Sequence, residues 1–133
     1  MPGLLTHLAA AFSGFLIIYM LSYNWKYGLS WIIGTLIPDV IKFGIPGIKL
    51  ETSSYYKILA DPLFRVLDRY THTFVYWVIV FIVFFLIIFL LYRFKKLSIK
   101  KAKALIISDI IFILSIAVHL IMDKLIIEKS YWI

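Results

Sequence analysis

Residues 74–92 read FVYWVIVFIVFFLIIFLLY, an apolar run without one charged side chain. A helix needs about 20 mainly apolar residues to cross a bilayer, and this stretch has that length. In hydrocarbon no water is present to bond the backbone, so the run must satisfy its own peptide groups, which a helix does. Outward from it, two stretches share its character: residues 8–25 carry no charge, and residues 104–122 carry only Asp109. A fourth, YGLSWIIGTLIP at residues 27–38, is charge-free but short. Continued through Asp39 to Ile41, it crosses as a tilted helix or dips in and returns. Its Gly28, Gly34 and Pro38 suit a helix packed closely inside a bundle.

Composition points the same way. Of 133 residues, 63% are hydrophobic, 18% aromatic and 16% charged, against about 45–50% apolar and about 25% charged in soluble domains. The expected fold is all-α, a polytopic transmembrane bundle of about four helices in one integral membrane domain. The expected spans are 5–25, 27–43, 73–93 and 104–126, with a surface segment at 44–72 between the second and third. No Lys or Arg precedes the first apolar run, and no small-residue cleavage site follows it at Tyr23-Asn24-Trp25, so it reads as a retained helix. Tyr23, Trp25, Tyr27 and Trp31, and again Tyr76 and Trp77, look like interfacial aromatic belts. Within 44–72, Gly44-Ile45-Pro46-Gly47 signals a turn. Asp61-Pro62 is an N-cap followed by proline at the first helical position, which predicts a helix running from Pro62 unbroken into the third span.

The formal charge is +7, from 14 Lys and Arg against 7 Asp and Glu, and there is no cysteine. The absent thiols exclude disulfide scaffolds, thiolate metal sites and cysteine nucleophiles. In so apolar a chain the basic excess sets orientation and meets anionic lipid headgroups rather than nucleic acid. Arg93, Lys95, Lys96, Lys100, Lys101 and Lys103 fall in one short stretch with no acid. Such loops stay cytoplasmic. Four crossings then place both termini and residues 42–73 on the outer side of the plasma membrane.

The same threading sorts the chain's reactive side chains. His7 opens the first span, Asp39 closes the second, His72 precedes the third, and His119 and Asp123 lie near the end of the fourth. All five fall at one membrane surface, opposite the basic loop. His119 and Asp123 are one helical turn apart on one face. Imidazole nitrogen and carboxylate oxygen together suit zinc, manganese or iron. Each residue also has a plainer reading: His7 as an interfacial or packing residue, Asp39 as a turn residue, His119–Asp123 as a hydrogen-bonded pair. Ionisable groups within spans are costly and usually paired or functional, and five gathered at one end favour a metal site. Asp68 shares a helical face with His72, either as a further ligand or as its orienter. Arg69 is a clamp for phosphate oxygens or half of a solvated ion pair. Asp109, ten residues before His119, is about 15 Å away along a helix and pairs with the basic loop or hydrogen-bonds within the bundle.

Four short motifs carry a resemblance: Thr6-His7, Gly34-Thr-Leu-Ile-Pro-Asp39, Asp68-Arg-Tyr-Thr-His-Thr73 and His119-Leu-Ile-Met-Asp123. Their order and spacing resemble the YdjM family of membrane-bound metal-dependent hydrolases, and distantly the zinc-dependent phospholipase C and nuclease P1 group. The resemblance implies that Asp39, His72, His119 and Asp123 hold one metal and that His7 with Asp123 helps hold a second. Asp68 stands where that family usually has histidine, and Ile41 where members often carry a second acid, so one or two ions are implied rather than three. The expected function is metal-dependent hydrolysis of a phosphoester in a lipid or lipid-linked substrate, with Asp68 and Arg69 as catalytic residues and Lys42 assisting Arg69. The alternatives are a non-enzymatic membrane protein with a structural or regulatory metal, and a small ion carrier using Asp109 as a relay.

Overall fold

A computed structural model describes residues 4–125, and among them every regular element is helical. Helix α1 spans Leu4–Ser22 and α2 Trp25–Asp39. A π turn at Val40–Gly44 leads into α3, Ile45–Lys49. Two short helices follow, α4 at Tyr55–Ala60 and α5 at Pro62–Thr71, and then α6, Phe74–Arg93, and α7, Ile99–Leu125. Four continuous helical stretches among the described residues are long and apolar enough to cross a membrane: Leu5–Ser22, Trp25–Lys49, Phe74–Arg93 and Ile99–Leu125. The all-α, four-span architecture is therefore the one expected, though several boundaries move. The last residue expected in the fourth span, 126, lies outside the described residues.

The first two spans meet in a tight hairpin. Tyr23 takes a positive φ of 50°, with its N–H on Tyr19 O, and Asn24 Oδ1 accepts from Lys26 N at 3.1 Å to cap α2. The second span is longer than expected, because the glycines and prolines read as a turn do not end it. Pro38 lies inside the helix and has no N–H to donate. The chain widens into the π turn and carries on through Pro46, while Gly44 keeps ordinary helical angles. The reversal comes later, at Glu51, with φ 49°.

The helix expected to run unbroken from Pro62 is also corrected. Asp61 caps α5 as foreseen, its carboxylate accepting from Leu63 N at 2.7 Å. The helix nevertheless stops at Thr71, and His72 and Thr73 form a break before α6. Trp77 Nε1 donates to Thr71 O at 2.7 Å, taking the carbonyl that a continuing helix would give to residue 75. The Thr71 and Thr73 hydroxyls turn back onto Leu67 O and Arg69 O. Side-chain bonds of this kind compete with the helical ladder.

In the bundle α2 is central, packed between α1 and α7, with α6 against α7. Small residues permit the approach. A Cβ on Gly34 would collide with Ser115 Oγ and come within 2.6 Å of Phe112 O, and one on Gly28 would run into the Phe15 ring. The apolar core is Trp77, Ile116 and Leu120, with Ile37, Ile41, Val80, Phe112 and Ile113 around it. Most large side chains of α6, among them Phe84, Phe89 and Leu90, point outward, as on a helix whose solvent is lipid.

Candidate metal centre

Directly beside that core, at the end of the bundle away from the basic loop, five elements converge. His7 comes from α1, Asp39 from the end of α2, Lys42 from the π turn, His72 from the α5–α6 break, and His119 and Asp123 from α7. Asp39, His72, His119 and Asp123 each offer a donor atom, and these atoms all lie within 4.8 Å of one another. His72 Nε2 is 2.8 Å from Asp123 Oδ2 and 3.4 Å from His119 Nε2; His119 Nε2 is 3.4 Å from Asp123 Oδ2.

His7 stands beside this group of four. Its ring stacks on His119 with centroids 4.4 Å apart, and its Nε2 lies 3.2 Å from Asp123 Oδ1 and 3.5 Å from Asp39 Oδ2. Asp68 also falls outside the four, with Oδ1 3.4 Å from His72 Nδ1, the placement of an orienting group. Arg69 is exposed on α5, and no ion pair joins it to the cluster among the described residues. The cation inside the cluster is Lys42, only 1% exposed. Its Nζ lies 2.8 Å from Asp39 Oδ1, 2.9 Å from His72 Nε2 and 3.5 Å from Asp68 Oδ1.

The proton on His72 follows from its neighbours. Thr71 Oγ1 spends its hydrogen on Leu67 O at 2.9 Å, so towards His72 Nδ1, also at 2.9 Å, it can only accept. Nδ1 therefore carries a proton, which leaves Nε2, facing Lys42 and Asp123, as the nitrogen a metal could take. Thr71 escaped the sequence reading as a functional residue; its signal was only its position next to His72.

Two features fit this cluster to a divalent ion. Both Asp123 oxygens are buried with only imidazole nitrogens beside them, at 2.8, 3.2 and 3.4 Å, and no aligned hydrogen bond, while Asp39 Oδ1 and Asp68 Oδ1 face the Lys42 ammonium. Buried polar atoms are otherwise almost always paired, so short approaches without aligned hydrogen bonds describe coordinating atoms better than a hydrogen-bond network. Three carboxylates face one ammonium here. Metal ligation takes imidazole in its neutral form, and with the imidazoles neutral a dication would supply the charge that such a buried group lacks.

Asp109 behaves differently. Its Oδ2 is buried with no hydrogen-bond partner, and no ion pair joins it to the basic loop among the described residues, contrary to both expected roles. It lines an apolar groove of about 410 Å³ with Ser30, Ile33, Phe84 and Phe112. Compared with protein-family models, curated proteins and solved structures, the chain matches none.

Proposed function

We propose that the chain is a membrane-embedded, metal-dependent hydrolase of a lipid or lipid-linked phosphoester. The observation that carries this is the four-donor group of Asp39, His72, His119 and Asp123 at one end of the spans. Two imidazoles and two carboxylates are donors for zinc, and also for manganese or iron. Such an ion lowers the pKa of bound water and polarises a phosphoryl oxygen. The resemblance to the YdjM family agrees with this chemistry. With the basic loop at the far end read as cytoplasmic, the centre would lie on the extracytoplasmic side of the plasma membrane.

The chain's own residues have separable roles. Asp68 is the most open of the three carboxylates, 34% exposed against 14% for Asp39 and 8% for Asp123. It is the group that would receive a proton from attacking water, beside the His72 ring at 3.4 Å. Lys42 places positive charge near the phosphoryl oxygens. Arg69, outward on α5 beside Asp68, meets the phosphate of an approaching headgroup. A groove of about 230 Å³ opens at His72 and is lined by Phe74, Ala117, Leu120, Ile121 and Lys124. Its apolar walls suit an acyl or prenyl chain whose phosphate lies at His72, which favours a lipid substrate over a soluble one.

The test is release of phosphate or headgroup from phosphatidate, phosphatidylglycerol and polyprenyl phosphate by the zinc-loaded chain. Turnover of at least one, lowered about 10²–10⁴-fold in Asp68→Asn, is expected for loss of a general base. One observation favours a second reading, a structural ion that staples the helices. His119 is fully buried, whereas catalytic metal sites keep an open position. Bound zinc without turnover of any of these lipids would replace the hydrolase reading with the structural one.

A further inference from the structure

Lys42 is the one basic side chain buried among the described residues. An ammonium is kept out of water only where partners replace its hydration. Its Nζ lies 2.8 Å from Asp39 Oδ1, 2.9 Å from His72 Nε2 and 3.5 Å from Asp68 Oδ1. Once His72 Nε2 serves the four-donor ion, the two carboxylates Asp39 and Asp68 remain as oxygen ligands for a second divalent ion. Asp39, which belongs to the four-donor group as well, would be the shared carboxylate of a two-ion centre.

We propose that Lys42 stands in the place of a second divalent ion and holds the centre to one. This rests on the metal reading above. Charge supports it independently of geometry: Asp39, Asp68 and Asp123 are balanced by one dication together with one ammonium. A second dication would add charge with no carboxylate to match it, and the ammonium already fills the Asp39–Asp68 side. The π turn at Val40–Gly44 is what makes this arrangement, since it carries Lys42 inward three residues after Asp39. The His72 lone pair can serve either Lys42 or an ion, so loading transfers it to the ion while Lys42 keeps its carboxylates.

The experiment is elemental analysis of the full chain in detergent after saturation with zinc and desalting, with melting curves recorded with and without zinc. The parent, Lys42→Arg, Lys42→Met and Lys42→Ser are compared. The expected result is one zinc per chain in the parent and Lys42→Arg, and two in Lys42→Met or Lys42→Ser. Zinc should also raise the melting temperature of the neutral variants more than that of the parent, because without it they hold three carboxylates and no cation. One zinc in parent and folded neutral variants alike overturns the proposal and leaves the metal reading standing, as does two zincs in the parent. If neither neutral variant folds even with zinc, the parent ratio decides: one upholds the proposal and two overturns it. No zinc in the parent overturns both.

Discussion

At one end of the bundle Arg93, Lys95, Lys96, Lys100, Lys101 and Lys103 are exposed in and around the loop between α6 and α7. At the other, Lys42 is buried among Asp39, Asp68 and His72. Six cations in solvent need no partners. A single cation out of solvent demands several, and the polar groups gathered around it must be matched in charge and hydrogen bonding or the fold is penalised. The acids divide in the same way. Asp109 sits alone against an apolar groove near the basic end, while Asp39 and Asp123 lie with three imidazoles. Burial alone therefore does not mark a candidate centre in this chain; convergence of complementary donors does.

The comparison is broken most severely by exchanging the two kinds of acid. Asp123→Asn should abolish retention of zinc through desalting, whereas Asp109→Asn should leave the metal content at the parent value; elemental analysis of both variants decides. Equal loss in the two would mean that the donors at the far end are not a separate centre. Next in size, Gly34→Val forces α2 away from α7 at Ser115 and Phe112. Overpacking of this kind costs about 1–3 kcal/mol, to be read from the denaturation midpoint, and metal affinity should fall with it because Asp39 and His119 ride on those helices.

A smaller effect is expected from Trp77→Phe, which removes the hydrogen bond to Thr71 O. About 1 kcal/mol of stability should go. Hydrogen exchange should show residues 71–75 gaining helical protection if that bond is what holds the break open. The smallest effect lies outside the spans. The Lys49 ammonium, with the Leu63 N–H, holds the Asp61 carboxyl below the usual carboxylate range. A lowered folded pKa contributes stability that is present above the ordinary carboxylate value and lost as pH falls through the folded one. Lys49→Ala should flatten the acid limb of the stability profile slightly, and an unchanged limb would show the pair to be fully screened.

The parts of the fold that sequence makes legible are those governed by one dominant force. The run at 74–92 became α6 at Phe74–Arg93 because nothing in hydrocarbon competes with a helix. Glycine and proline misled at Gly44–Gly47, since Gly44 keeps helical angles and Pro46 sits at the start of α3, so the chain continues through the π turn without reversing. The break at His72 was hidden because it depends on an indole six residues ahead reaching back to Thr71, a contact with no local pattern. Of the centre, the ends to which His7, Asp39, His72, His119 and Asp123 belong followed from counting crossings. The inward turn of Lys42 did not, because its direction is set by the π turn, and a lysine near a span end ordinarily reads as reaching for headgroups. Arg69, by contrast, is exposed on α5, with no ion pair to the cluster among the described residues.

The central claim is that the four donors within 4.8 Å of one another bind an ion. Its most direct test is elemental analysis of the detergent-purified chain beside a His119→Ala/Asp123→Ala double variant. The account predicts close to one zinc or manganese ion per parent chain and none in the variant. A parent that holds no divalent ion, even after incubation with zinc or manganese, would contradict it.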